Sequence, residues 1–246
     1  IAIRFGVGNA CALTEHVALV TGAGSGIGKA IAAALAGQGA SVCLVGRTQS
    51  KLEATARGLP PSAAARVLPA DLANDASIAQ LAAAVPELDI LVLAAGEYAT
   101  GAIESAPVEA FDRLYRTNLH ANYLLAQSFL PKLKRRPGQI VFINSSTGLS
   151  ARPDVGMFSA TNHGLKALAD ALRAEINFDG IRVLSVYPGR TATPRLESLY
   201  ASKGQVYRPE LLLQPEDVAA VVSNALTLSR TAEVTDISLR PLAKSY

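Results

Sequence analysis

The sequence predicts an α/β protein, a single domain built on a parallel sheet of about seven strands with helices on both faces. Three observations carry this. Short runs rich in Val, Ile and Leu alternate with Ala/Leu-rich stretches of helical length, and no long linker or repeat interrupts them. Most of the strand runs are apolar throughout rather than alternating, the pattern of a sheet covered on both sides. Hydrophobic residues make up 50% of the 246 and charged residues only 17%, enough to fill a large core.

Strands are expected at His16–Val20, Ser41–Val45, Ala65–Pro69, Asp89–Ala94, Gln139–Asn144, Arg182–Val186 and Glu233–Leu239. Helices are expected between them at Gly26–Gln38, Gln49–Ala56, Asp75–Val85, Pro107–Leu133, Gly156–Phe178 and Pro215–Leu228. Asn74-Asp75 and Gln214-Pro215-Glu216-Asp217 mark helix starts, with a capping residue or early proline and acids in the first turn. Right-handed crossovers then give a doubly wound, Rossmann-type sheet over residues 16–246. Residues 191–213 carry turn residues and tyrosines with weak periodicity. They read as a substrate lid or as a plain surface excursion. Residues 1–15 read as a disordered or weakly packed tail. Arg4 and Ala10-Cys11-Ala12 faintly resemble a secretory leader, but Arg4, Gly6, Gly8 and Asn9 break any apolar run.

Several function classes are disfavoured. The net charge is +3, and the densest basic cluster, Lys132-Lys134-Arg135-Arg136, reads as a solvated helix end, so no nucleic-acid partner is expected. No run reaches the roughly 18–20 apolar residues of a membrane span, so no membrane partner is expected. Cys11 and Cys43 make no disulfide framework, and Cys43 lies in an apolar run as a buried strand residue. A reducing, cytoplasmic location follows as the default. No metal site is expected.

The first strand is followed by Thr21-Gly22-Ala23-Gly24-Ser25-Gly26-Ile27-Gly28 and then a helix. Glycines let the backbone turn tightly and approach a pyrophosphate, and the helix offers unpaired N–H groups and a positive dipole end. A glycine-rich turn placed between strand and helix is a far stronger signal than the same glycines alone. The second strand ends on Gly46-Arg47-Thr48. An acid there would bond the ribose diol of NAD and repel a 2′-phosphate. A guanidinium and a hydroxyl suit the phosphate instead, so NADP(H) is expected over NAD(H). Arg47 also fits a solvated turn, or a stack on adenine without selection.

Further motifs follow in order: Asp71-Leu72, Ala94-Ala95-Gly96, Asn118, Ser145 thirteen residues before Phe158, and Pro188-Gly189-Arg190-Thr191-Ala192-Thr193. Together with the glycine turn they resemble the short-chain dehydrogenase/reductase family, from about His16 to the C-terminus. The resemblance implies that Asp71-Leu72 contacts the adenine and that Ala94, Ala95 and Gly96 replace the family's Asn-Ala-Gly. It implies that Pro188, Gly189, Thr191 and Thr193 hold the nicotinamide end. It also implies that Asn118 holds a water in a proton relay and that Ser145 polarises the substrate oxygen. The family's hallmark Tyr-x-x-x-Lys is replaced here by Phe158-x-x-x-Asn162. Phe158 keeps a ring with no proton to give. Asn162 can bond a ribose hydroxyl but cannot lower the pKa of an acid by charge.

Other groups near the motif are weaker substitutes. Tyr98, after Gly96, reaches the pocket or packs on the lid. Lys166 lies two helical turns beyond Phe158, and His163 points about a hundred degrees away from Asn162. Tyr187 packs beneath the nicotinamide turn, and Ser146 is the alternative to Ser145. The expected function is an oxidoreductase acting on a carbonyl or secondary alcohol with an impaired or rearranged catalytic set. The alternative is a catalytically silent dinucleotide sensor or supporting subunit. Leu196, Leu199, Tyr200 and Tyr207 suggest a mostly apolar small-molecule ligand. Apolar residues on several faces of the two long helices (Leu114, Leu119, Leu124 and Leu125; Leu165, Leu168, Leu172 and Ile176) suggest a homotetramer or homodimer.

Overall fold

The computed structural model describes residues 12–243. Among these, seven strands form one sheet: β1 (Val17–Thr21), β2 (Ser41–Gly46), β3 (Ala65–Pro69), β4 (Ile90–Leu93), β5 (Gln139–Ile143), β6 (Arg182–Pro188) and β7 (Asp236–Leu239). Their order is β3-β2-β1-β4-β5-β6-β7, and every neighbouring pair is parallel. The chain runs outward from β1 to β3, returns to lay β4 against the other side of β1, and continues outward to β7. The winding direction therefore reverses between β1 and β4, and such a reversal opens a crevice at the strand C-termini.

Strand pleating sorts the core into two halves. Ala18, Val20, Ile90, Val92, Leu184 and Val186 face one side, where α1 (Gly26–Gly37), α2 (Gln49–Arg57) and, later in the chain, α8 (Pro215–Leu226) supply Ile31, Leu35, Leu52, Val218 and Val222. Leu19, Leu91, Leu93 and Val183 face the other side. There α3 (Asp75–Ala84), α5 (Ala121–Leu133) and α6 (Gly156–Ile176) supply Ile78, Leu81, Phe129, Leu165 and Ala169. Each of the Val, Leu, Ile and Phe side chains, fully buried, contributes about 1.5–3 kcal/mol. Cys43 belongs to the second half, and burial pushes its thiol pKa up.

Three features depart from the sequence expectations. The long helix 107–133 is divided: α4 (Val108–Leu114) passes through a π-helical turn (Tyr115–His120) into α5. The turn lies at Asn118, whose carbonyl accepts from Asn122 Nδ2 (2.7 Å), so the widened backbone is satisfied by a side chain. The segment 191–213 contains a helix, α7 (Pro194–Ser202), started by Thr193 Oγ1 accepting from the Leu196 amide, with Pro194 in the first turn. The last strand is shorter than expected and begins at Asp236. Most of the expected tail 1–15 lies outside the described residues. Within the described part, Leu13 is buried and its amide donates to the Gln38 carbonyl (2.9 Å).

The end of the sheet opposite the crevice is tied by polar contacts. Asp89 Oδ2 accepts from the Val17 amide (2.8 Å), and Arg136 approaches the same carboxylate at 3.8 Å. Arg182 donates to the carbonyls of Leu226, Leu228, Ser229 and Ala232 and to Gln139 Oε1. It thereby closes the C-terminal end of α8. In the basic cluster at the C-terminal end of α5, Lys132 donates to the Ala82 and Val85 carbonyls and Lys134 pairs with Asp179 (2.8 Å). These cations are engaged within the fold.

Candidate active site

The C-terminal ends of β1, β2, β4, β5 and β6 open into one cleft of about 940 Å³. Every residue that the sequence assigns to the cofactor lines it, as do Asn118, Ser145, Phe158 and Asn162. The glycine turn forms its floor. Gly22 has φ +68°, and a Cβ there would stand 2.9 Å from the Ala94 carbonyl oxygen; at Gly28 it would stand 2.5 Å from the Gly22 oxygen. A side chain at either position would push strand and helix apart. Ser25 is the N-cap of α1, yet its hydroxyl makes no cap bond, and the first turn holds no acid. Donors and a positive helix end therefore face the cleft, a setting that suits a pyrophosphate. Thr21 Oγ1 accepts from the amides of Ala94 (2.9 Å) and Ala95 (3.0 Å), fixing the end of β4 beside this turn.

At the adenosine end, Arg47 leaves β2 with its side chain 69% exposed and reaches Glu97 Oε1 at 3.1 Å. Thr48 caps α2 by position without a side-chain cap bond. Asp71 Oδ1 accepts from the Ala73 amide (3.1 Å), and Leu72 is buried. Across the cleft α7 brings Arg195, which donates to the Gly96 carbonyl. Burial lowers the Arg195 pKa, Glu97 opposes this, and Arg47 adds to it.

At the chemical end, Ser145 Oγ accepts from the Thr147 amide (3.2 Å) and Thr147 Oγ1 (3.0 Å). With those bonds received, its own proton is available to a ligand oxygen. Phe158 and Asn162 sit one turn apart on α6 and both line the cleft. Asn162 Nδ2 donates back to the Phe158 carbonyl (2.7 Å), within the helix. Asn144 joins α6 to the serine loop: its Nδ2 donates to the Asn162 carbonyl (3.0 Å) and its Oδ1 accepts from the Ser145 amide (2.7 Å). The Asn118 side chain clamps the backbone of Glu97, accepting from its amide (2.7 Å) and donating to its carbonyl (3.0 Å). Its amide group is thus committed to holding the end of β4.

Sequence reasoning overlooked Glu97, Arg195, Arg152, Asn144 and Asn122. Glu97 had a legible signal, a charge directly after the glycine that ends β4. The others depend on loop and helix placement. Tyr98 lies in the cleft with its ring edge-on to Phe158, centroids 4.8 Å apart at 70°. The lid tyrosines Tyr200 and Tyr207 pair with each other instead (5.7 Å). His163 and Lys166 do not line the cleft; their polar atoms engage Ser159 and Asp170.

A doubly wound parallel sheet with a glycine-turned helix N-terminus at its switch point defines a Rossmann-type dinucleotide fold. More narrowly, the chain belongs to the short chain dehydrogenase family, whose model matches residues 16–204. An uncharacterised oxidoreductase of Staphylococcus aureus strain USA300 is 32% identical over 235 residues, covering 94% of this chain and 99% of that one. An alcohol dehydrogenase from the archaeon Thermococcus sibiricus, complexed with 5-hydroxy-NADP, superimposes with a TM-score of 0.83 at 26% identity, covering 94% and 99% of the two chains. A metagenomic short-chain oxidoreductase in complex with NADP gives a TM-score of 0.81 at 30% identity, covering 95% and 100%.

Proposed function

We propose that this protein binds NADP(H) in preference to NAD(H) and is an oxidoreductase acting on a carbonyl or secondary alcohol with a rearranged catalytic set. The carrying observation is the cleft itself. A glycine-floored helix N-terminus, a guanidinium in place of an acid at the end of β2, and a serine hydroxyl with a proton to give all line it. The two NADP-bound neighbours support the choice of cofactor. The Gly22–Gly28 turn and Ser25 would hold the pyrophosphate. Arg47 and Thr48 would take the 2′-phosphate, Asp71 and Leu72 the adenine, and Asn162 the nicotinamide ribose. Ala94–Gly96 would lie along the dinucleotide, with Pro188, Gly189, Thr191 and Thr193 at its nicotinamide end. When bound, the dinucleotide supplies or accepts the hydride. Ser145 orients the substrate oxygen by donating a hydrogen bond to it, and α7 covers the mouth, with Leu196, Leu199 and Tyr200 facing a ligand of mostly apolar character.

Phe158 and Asn162 stand for the family's tyrosine and lysine in this reading, which also places the protein in the cytoplasm as a homodimer or homotetramer. Support for assembly comes from Phe111, Tyr115 and Tyr123, exposed by 39%, 46% and 48% along α4 and α5. A second reading, a silent sensor or supporting subunit, is favoured by one observation: the Asn162 amide is turned onto its own helix at the Phe158 carbonyl. Fluorescence titration with NADPH and NADH, followed by NADPH oxidation with aldehydes and ketones, separates the two. Selective NADPH binding with turnover supports the enzyme, and selective binding without turnover supports the sensor.

A further inference from the structure

The absence of a proton at Phe158 leaves the site in need of a donor, and the structure puts a phenol beside it. Tyr98 lines the cleft and packs on Phe158. Its ring meets Phe158 edge-on at 4.8 Å, within the distance range of a specific aromatic pair. Both residues line the cleft, so the phenol of Tyr98 stands at the same end of it as residue 158. The ring also stands on a fixed pedestal. Asn118 holds both backbone groups of the preceding residue, Glu97, and Arg195 holds the carbonyl of Gly96. A reacting group placed in this way keeps its aim.

The charges around the phenol suit donation. Burial pushes the Tyr98 pKa up, so the hydroxyl keeps its proton near neutrality, while Arg152 and Arg190 pull the other way. Those guanidiniums come from the loops after β5 and β6, and both line the cleft. They would stabilise the phenolate left behind, the electrostatic service for which a neutral Asn162 is unsuited.

We propose that Tyr98 is the proton donor of this site, giving its hydroxyl proton to the carbonyl oxygen that Ser145 also contacts. The proposal rests on the oxidoreductase reading. In reduction the carbonyl carbon accepts a hydride, with its electron pair, from NADPH. The C=O π pair closes onto oxygen, and that oxygen takes the proton as the Tyr98 O–H bond breaks. The tyrosinate, held beside Arg152 and Arg190, regains a proton from solvent.

The test is Tyr98→Phe, with benzaldehyde, acetophenone and cyclohexanone as probes. kcat/KM for NADPH-dependent reduction should fall by at least about 10²-fold while the Kd for NADPH stays within about twofold, which also shows that the variant folds. A second readout is independent of turnover. In protein carrying ¹³Cζ-tyrosine at its seven tyrosines, the resonance lost in the variant should shift when acetophenone is added to the NADP⁺ form. Unchanged reduction by Tyr98→Phe overturns the proposal, and so does a Tyr98 resonance that ignores acetophenone. A parent that binds NADPH but reduces none of the probes overturns it too, leaving dinucleotide binding intact. Failure to bind NADPH overturns the proposed function and this inference together.

Discussion

Glu97 is already where a cofactor phosphate would compete for Arg47. The perturbation is Glu97→Gln, which removes the carboxylate at nearly constant shape. The Arg47–Glu97 pair is 3.1 Å long, with the Arg47 side chain 69% and the Glu97 side chain 29% exposed. Water screens such a pair, so its contribution is about 0.2–1 kcal/mol, equivalent to roughly 1.4- to 5-fold in a binding constant. A 2′-phosphate on Arg47 would compete with and be repelled by the Glu97 carboxylate, whereas NAD(H) has no phosphate to feel it. Glu97→Gln should therefore tighten NADPH by roughly two- to fivefold and leave NADH nearly unchanged. Arg47→Asp should weaken NADPH by roughly 10- to 150-fold, since a charged hydrogen bond contributes about 1.5–3 kcal/mol and an added acid repels the phosphate. In an Arg47→Ala background Glu97→Gln should have no effect, because the competition is gone. Nucleotide fluorescence titrations at fixed ionic strength measure the parent and the four variants. Equal tightening of NADPH and NADH, or tightening that persists without Arg47, refutes the reasoning. Equal NADPH and NADH affinities in the parent, unaltered by Arg47→Asp, refute the cofactor preference itself.

Three further outcomes are expected. In a Tyr98→Phe background, Phe158→Tyr with Asn162→Lys should restore carbonyl reduction by at least about 10²-fold, and Phe158→Tyr alone by much less, because a buried phenol without a cation is a poor acid–base group near neutrality; steady-state NADPH oxidation decides it. Asn144→Ala should destabilise the fold by about 1–3 kcal/mol, since it leaves the Ser145 amide without its partner and removes the side-chain bond to the Asn162 carbonyl; a urea melt showing less than about 0.5 kcal/mol would remove Asn144 from this structural role. Light scattering at micromolar concentration should give a dimer or tetramer mass, and Tyr115→Glu with Phe111→Glu should shift it toward the monomer; a monomeric parent would contradict the assembly expected of α4 and α5.

The sheet was legible because its signal is local and redundant. Runs such as Val17–Thr21 and Ile90–Leu93 are apolar on both faces, and only a doubly covered parallel sheet buries such runs at both registers. The glycine turn was legible because its signal is local: Gly22 takes φ +68°, and a Cβ at Gly28 would meet the Gly22 carbonyl of the same turn. The π-helical turn escaped because the apolar pattern of 107–133 continues through it. Its cause is a pair of asparagines whose bonding depends on the end of β4. Helix α7 escaped because it buries no residue and so shows weak periodicity, although Thr193-Pro194 was an available start signal. Arg152, Arg190 and Tyr98 meet only through three separate strand ends, and no sequence spacing encodes that meeting.

The polar fastening at the far end of the sheet separates two kinds of substitution. Asp89, Gln139 and Arg182 bind backbone from β1, α8 and the loop before β7 at the strand N-termini, while the cleft opens at the strand C-termini. Changes at the fastening alter how firmly the layers are held together without touching a group that meets a ligand. Changes at the cleft re-aim donors and charges against a scaffold anchored elsewhere. Residues such as Phe158 and Asn162 on α6 can therefore change in chemistry while the fold holds. The same separation marks the fastening end as the place to add stability before the cleft is redesigned.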